Sequence, residues 1–379
     1  MNDISCLTIS DIHLGNGRNK TAEIIRNLDS FFSDYTSKSQ FCNLDVIFLA
    51  GDIFDTLLDS SNDDIRYIEL WFGRLMTFCS RFDIKLRILE GTPSHDWKQS
   101  KNAETVFKLI DKSLDFKYID TLHIEYLKDY DAYVLYVPDE WTASADLTLS
   151  QVKTLLKEQN IQQVDIAVMH GCFRYQLPPA AKNVPYHDEA SYLSIVKHFI
   201  TIGHIHVHSV YERILAQGSF DRISHNEESP KGAIVFHISE KNGNSFFFIE
   251  NKGAKIFKTI TLKYKDLDRS MLQIDKAVKD IPDNSYVRIK ATKDHPLYVA
   301  FDDLKLLFPM LTFTKANIED EEQENLIAQR TLSLEKNYVP ITITRDNVVS
   351  LIMQEVKPKY NLPPEKLELL QSLLVNNNA

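Results

Sequence analysis

The chain has 379 residues, enough for two or three domains at roughly 100–200 residues each. It is 44% hydrophobic and 25% charged, with 11 Gly and 13 Pro, which excludes collagenous and low-complexity classes. A net charge of −10 argues against a protein that coats polyanions through Lys and Arg. That charge is uneven: residues 1–250 hold 24 Lys and Arg against 35 Asp and Glu, and the remainder 19 against 18. A phosphate-rich substrate would need its charge offset by something other than side-chain cations, and metal ions would do that. No stretch approaches the roughly 20 apolar residues of a membrane span. The opening MNDISCLTISDIH lacks a basic region followed by a long apolar run, so it reads as no secretory leader and the chain as cytoplasmic. Four Cys, at 6, 42, 79 and 172, show no paired spacing, and the first three read as reduced core residues.

In chain order, residues 4–10, 44–50, 84–90 and 164–169 are short β-branched apolar runs of strand length. Between them, 21–36 and 63–81 carry apolar residues at three- and four-residue steps, which predicts helices with one buried stripe. This alternation predicts an α/β layered domain with buried strands. After about residue 200, the runs 208–216, 231–238 and 244–250 predict antiparallel strands closing the same sheet layer. A smaller unit is expected from 256, with a helix at 270–280, a strand at 285–292, a helix at 301–308 and a strand at 310–315. The acidic run 318–325 reads as a solvated helix face or linker. Helices are predicted at 345–356 and 363–375. The apolar stripe of the second of these suits either a docking partner or the completion of the small unit. No internal repeat is found.

The placement of Asp and His carries the functional information. Asp11 and His13 follow the first strand, and Asp52 follows the second within GDIFD. His95 and Asp96 come shortly after the third within GTPSHD, and His170 follows the fourth. His204 and His206, in GHIH, follow the apolar run 199–202. All lie at carboxyl ends of strands, where side chains of an α/β sheet converge. Imidazole and carboxylate donors together suit Mn, Fe or Zn, and a pair of such cations can generate hydroxide and drive in-line displacement at phosphorus. Each position alone reads as a turn or helix cap; the ordered set of five segments reads as a dinuclear metal site.

The order DxH, GDxxD, HD, HG, GHxH resembles the calcineurin-like metallophosphoesterase superfamily over residues 4 to about 206. The resemblance implies a four-layered fold, a β-sandwich flanked by helices. It implies that Asp11, His13 and His206 hold one metal, His170 and His204 the other, and that Asp52 bridges them. His95 would protonate the leaving oxygen or hold the phosphate, with Asp96 orienting it. The family's Gly-Asn-His is altered here to Gly91-Thr92-Pro93-Ser94-His95, which puts Ser94 in the place of the Asn ligand. A serine hydroxyl there would weaken the second metal.

Within that superfamily, DIHLG at 11–15, GDIFD at 51–55 and GSFDRISHNEESPKG at 218–232 are similar to SbcD-type DNA double-strand-break repair exonucleases. Two divalent ions, Mn first and Fe, Zn or Mg otherwise, are then implied, with metal-generated hydroxide cutting the phosphodiester. The implied organisation is a nuclease domain at 1–255, a DNA-positioning cap at 256–330, and a helical tail at 331–379 that binds an SbcC-like coiled-coil ATPase. DNA is the implied substrate, no membrane partner is expected, and the reading allows a homodimer. Arg222 and Lys231 would either contact substrate near the site or hold their stretch against the sheet. Lys290, Lys293, Lys305 and Lys315 are ordinary surface lysines unless the cap meets backbone phosphates. The rival readings are a small-molecule or phosphoprotein phosphoesterase, and a scaffold subunit weakened at Ser94.

Other residues are given smaller roles. Asp55 reads as a hydrogen-bond partner to a ligand, and Cys172 as a small buried residue rather than a thiolate ligand. If HIHVH were a strand, His208 would point with His204 and His206. Trp71, Trp97 and Trp141 read as packing residues.

Overall fold

The computed structural model describes residues 1–110, 114–139, 144–178, 184–225 and 227–318. Met1–Glu319 forms one compact unit and Asp320–Ala379 a second. The second lies outside the described residues, as do Trp141, most of the acidic run, the expected helices at 345–356 and 363–375, and the end of the expected cap.

The chain begins with β1 (Ile4–Ile9), α1 (Thr21–Phe31), β2 (Val46–Ala50), α2 (Asp63–Arg81), β3 (Lys85–Leu89), the single turn α3 (Pro93–Asp96), α4 (Asn102–Ile110) and β4 (Phe116–Ile119). It continues through β5 (His123–Leu127), β6 (Ala132–Val137), α5 (Ala145–Glu158), β7 (Val164–His170), α6 (Glu189–Ile195), β8 (Val196–Gly203), β9 (Ser209–Tyr211) and β10 (Ile214–Ala216). Next are β11 (Gly232–Ile238) and β12 (Ser245–Glu250). The last described elements are β13 (Phe257–Thr261), α7 (Leu267–Val278), β14 (Tyr286–Ala291), α8 (Phe301–Leu307) and β15 (Thr312–Asn317).

Two six-stranded mixed sheets result, in the orders β12-β11-β1-β2-β3-β4 and β5-β6-β7-β8-β10-β9. The alternation of β2 shows how they pack. Val46, Phe48 and Ala50 join an apolar cluster with Val134, Ile166, Val168 and Leu215 of the other sheet. Ile47 and Leu49, on the opposite face, pack with Leu28 of α1 and Trp71 and Leu75 of α2. A strand buried on both sides must be apolar at every position, and β2 is. The outer face of the second sheet packs against Val152 and Leu156 of α5 and Tyr192 of α6.

Helix α2 spans the expected 63–81. The Asn62 side chain accepts from Asp64 N, Asp63 and Asp64 occupy the first turn, and Arg81 the last, a charge order that complements the helix dipole. Helix α1 stops earlier than its periodicity suggests, because Ser33, Asp34 and Tyr35 take positive φ. That kink brings the Tyr35 hydroxyl to accept from Trp71 Nε1 at 2.7 Å. The strands after residue 200 divide between layers instead of closing one. β11 and β12 extend the first sheet, while 208–216 is a short hairpin whose β10 runs parallel to β8 in the second.

The small unit is a parallel sheet, β13-β14-β15, with its own core of Ile274, Val287, Ile289, Leu297 and Leu304. Tyr286 Oη donates to Arg18 O at 3.1 Å, and Thr259 N donates to Glu228 Oε1 at 2.9 Å, which ties this sheet to the body. Among the described residues no helix is long and apolar enough to cross a membrane. All four cysteines are free; Cys6, Cys79 and Cys172 are buried, whereas Cys42 is only partly so.

Candidate metal centre

β1, β2 and β3 run parallel, as do β7 and β8. Their carboxyl ends meet where His170 Nδ1, at the end of β7, donates to Ala50 O of β2 at 2.8 Å. The loops that follow are sewn together by main-chain bonds. Asp11 N donates to Gly51 O at 3.0 Å, and Ile12 N to Asp52 O at 2.8 Å. Asp11, His13, Asp52 and His204 all have positive φ, at 51°, 55°, 50° and 99°. Such conformations cost non-glycine residues about 1–3 kcal/mol each and cluster where function holds them. Gly51 and Gly91 are required sterically, since a Cβ on the first would meet His170 Nδ1 and on the second Asp52 N.

Asp11, His13 and His206 form one group whose candidate ligand atoms all lie within 4.8 Å of one another. His13 Nδ1 faces Asp55 Oδ1 at 3.1 Å, and His206 Nδ1 faces Glu227 Oε1 at 3.1 Å. The two Nε2 atoms are therefore turned toward each other, 3.0 Å apart. At this distance one ring nitrogen can donate to the other, and both are turned to the common point that a shared ion would need. The Asp11 carboxylate accepts from His204 N at 2.9 and 3.0 Å and from the Ser10 hydroxyl.

Asp52, His170 and His204 form a second group under the same limit. His170 Nε2 lies 3.2 Å from Asp52 Oδ1, its tautomer set by the Ala50 carbonyl on the other nitrogen. Thr92 stands among them. Its N–H donates to Asp52 Oδ1 at 2.6 Å, and its hydroxyl lies 3.2 Å from Asp52 Oδ2, 3.3 Å from His170 Nε2 and 3.2 Å from His204 Nδ1. A third group, His13, Asp55 and His95, adjoins the first. There His95 Nδ1 donates to Asp55 O at 2.7 Å.

The electrostatics match this donor set. Burial alone would raise the Asp52 carboxyl, but His170, and after it His13, hold it well below the usual carboxylate range. Burial disfavours a charged imidazole at His170, yet Asp52 beside it pushes that ring up to about 10. Cation uptake at His170 Nε2 would displace this proton. Carboxylates and imidazole nitrogens buried together and turned to common points fit hard to borderline divalent ions such as Mn, Fe or Zn.

Asp11, His13, Asp52, His170, His204 and His206 are thus brought together, with His95 beside them. Other expected roles change. Ser94 is exposed, and the hydroxyl among the second group belongs to Thr92. Counting back from His95 selects Ser94, but the turn α3 intervenes, and the chain position that follows Gly91 enters the site. Asp96 is fully buried and does not hold His95. Its carboxylate accepts from Asp52 N, Phe54 N and Gly91 N at 3.0, 2.9 and 2.7 Å, fixing the loop after β2. Burial, then the neighbouring Asp52 and Glu90 carboxylates, push Asp96 upward.

Arg222 and Lys231 are buried and engaged with protein rather than turned to a substrate. The Arg222 guanidinium donates to Ala254 O and Lys255 O at 3.3 Å each. Lys231 Nζ donates to His206 O at 2.7 Å and pairs with Glu227 Oε2 at 3.0 Å. Residues 204–208 are not a strand, so His208 turns away to Ala216 O and stacks on Phe248. Cys172 Sγ donates to Pro185 O, Trp71 is buried and Trp97 is half exposed. Lys305 pairs with Asp302, and Lys315 donates to Tyr298 O.

Thr92 and Glu227 are the site residues that motif reading leaves out. The signal for Thr92 is its place directly after Gly91. Glu227 stands within the 218–232 stretch, but nothing local to it points to His206.

No family model matches the chain, and no curated protein matches it. Among solved structures it is similar to GAP50, the anchor in the inner membrane complex of Plasmodium, at 15% identity over 66% of this chain and 86% of that one, with a TM-score of 0.40. It is also similar to a glutamine-dependent NAD+ synthetase from Acinetobacter baumannii in complex with ADP, at 11% identity over 99% and 72%, with a TM-score of 0.30. At these values neither likeness carries an argument about this chain.

Proposed function

We propose that the protein is a divalent-metal-dependent phosphodiesterase of the calcineurin-like metallophosphoesterase superfamily, acting on DNA as an SbcD-type nuclease does. The observation that carries this reading is the convergence of Asp11, His13, Asp52, His170, His204 and His206, from four strand ends, into two adjoining ligand groups. The pairing of two six-stranded sheets with helices outside them supports the four-layered fold of that superfamily. The 218–232 resemblance favours DNA over a small molecule. Two divalent cations bound there would activate water as a nucleophile and offset the charge of the scissile phosphate.

The chain's own residues have definite tasks in this reading. Asp52 lies against the second group and carries a charge that His13 of the first also stabilises, the position a bridging carboxylate needs. His95 Nδ1–H donates to the Asp55 carbonyl, which turns Nε2 outward; with a second proton taken up on Nε2, the imidazolium would hand that proton to the departing sugar oxygen and return to the neutral Nδ1–H ring. Gly51 and Gly91 let the loops approach without a side chain between them. The implied ATPase partner belongs to the tail at 331–379, outside the described residues.

Purified protein with Mn should degrade linear duplex DNA, and His95→Ala should slow this by about 10²–10⁴-fold with metal content unchanged. Cleavage of a chromogenic phosphodiester with none of DNA, even with an SbcC-like partner added, would replace this reading with a small-molecule one. A scaffold of weakened turnover is the second reading. It is favoured by the Thr92 hydroxyl standing where the superfamily has an Asn amide, and rapid turnover of DNA would dismiss it.

A further inference from the structure

We infer that Glu227, backed by Lys231, is the positioning residue for His206. In this reading the Gly218–Gly232 segment serves the metal centre as a brace, not as a contact for substrate. The inference rests on the metal-centre reading above and assigns that segment its task.

His206 has no regular structure of its own to hold it, because residues 204–208 lie between β8 and β9 and belong to neither. His170, by contrast, ends a strand and is fixed by a main-chain carbonyl. The brace grips His206 at two points. Glu227 Oε1 faces Nδ1 of the ring at 3.1 Å, and Lys231 Nζ donates to the His206 carbonyl at 2.7 Å. Main-chain bonds add to this, with Ser219 N donating to His206 O. The carboxylate itself is fully used. Ser224 Oγ donates to Oε1 at 3.1 Å, while Ser219 Oγ and Lys231 Nζ reach Oε2 at 3.3 and 3.0 Å. Glu227 is 7% exposed and Lys231 1%, so neither group has room for a solvent-borne ligand.

Were the segment merely packed against the sheet, a Glu227–Lys231 pair alone would satisfy both charges. One oxygen instead goes to the lysine and the other to the imidazole. A carboxylate opposite Nδ1–H fixes the tautomer and ring orientation and makes Nε2 the stronger donor. Lys231 offsets the carboxylate's charge, so the brace adds no net charge behind the ligand.

The test uses the full chain, with Mn as the probe. Calorimetric Mn titration should show two sites in the wild type. Glu227→Ala should weaken one of them by about 10–100-fold and leave the other unchanged. Glu227→Gln, which keeps an acceptor opposite Nδ1 and guards against misfolding of the alanine variant, should weaken it less. Nitrogen NMR of metal-free wild type should report the Nδ1–H tautomer at His206, and a mixture in Glu227→Ala. An Nε2–H tautomer in the wild type, or two undiminished Mn sites in Glu227→Ala, would overturn the inference. Absence of Mn binding to the wild type would instead strike the metal-centre reading, and the tautomer measurement would still judge Glu227.

Discussion

Two buried polar clusters join the same two sheets, and they are built on opposite rules. Between β3 and β5, Arg87 makes a two-pronged bond to Glu125, with Nε and Nη2 each 2.8 Å from a carboxylate oxygen. Asp115, Lys117 and Tyr136 complete it at 2.8, 2.5 and 2.9 Å. Every charge there has its counter-charge in the protein. At the carboxyl ends of the strands, Asp11, Asp52, Asp55 and Glu227 meet five imidazoles, and among the described residues Lys231, at the periphery, is the lysine paired with them. Four of the site's residues hold strained backbone as well. A cluster that satisfies itself is a structural device, whereas one whose imidazole nitrogens and carboxylates crowd together with few permanent counter-charges is shaped for cations from outside.

Substitution in each cluster can break or sharpen that contrast. The largest expected effect on folding is Arg87→Leu, which leaves Glu125 between the sheets with the half-exposed Lys117 as its counter-charge and should cost about 3–5 kcal/mol by denaturant unfolding. Mn affinity should be untouched, and Arg87→Leu with Glu125→Leu should recover much of the loss. Burial raises the Glu125 carboxyl, but Arg87 together with Lys117 and Tyr136 lowers it by more, so its folded value lies below the unfolded one of about 4.3. Its contribution is therefore complete above that pH and is lost as pH falls through the folded value. The double-leucine protein should show a flatter acid limb. If the single variant is as stable as the wild type, the claim that this cluster is structural fails.

A smaller effect, of the opposite kind, belongs to Thr92. Thr92→Val removes the hydroxyl among Asp52, His170 and His204 while preserving shape. It should weaken one Mn site by up to about tenfold and leave unfolding within about 0.5 kcal/mol. Ser94→Ala should change neither quantity. Equal sensitivity at the two positions would contradict the placement of Thr92 in the site.

The strands that end in the candidate ligands were readable because β1, β2, β3 and β7 are nearly uninterrupted apolar runs, and α2 because its cap and stripe agree. The strand β5 was not, and the reason lies in the same comparison. Glu125 points into the interior from β5, and Arg87 from β3. A charged residue facing inward spoils the alternation that marks a strand, and only its distant partner explains it. At the site, residue types and order pick out the six Asp and His residues that the structure brings together, since each follows a strand. Their outer partners were hidden. Asp96 is next to His95 in sequence but serves Asp52, Phe54 and Gly91, while Glu227 and His206 meet across 21 positions. Thr92 was misassigned to Ser94 because one helical turn separates sequence counting from spatial counting.

The most direct test is diffraction from crystals grown with Mn, recorded for its anomalous signal. The account predicts two peaks at the shared edge of the sheets. One should lie about 2.0–2.2 Å from His13 Nε2 and His206 Nε2 with Asp11 alongside, the other against His170 and His204, and Asp52 should reach both. Crystals that take up Mn only at surface carboxylates, with these imidazoles unliganded, would contradict it.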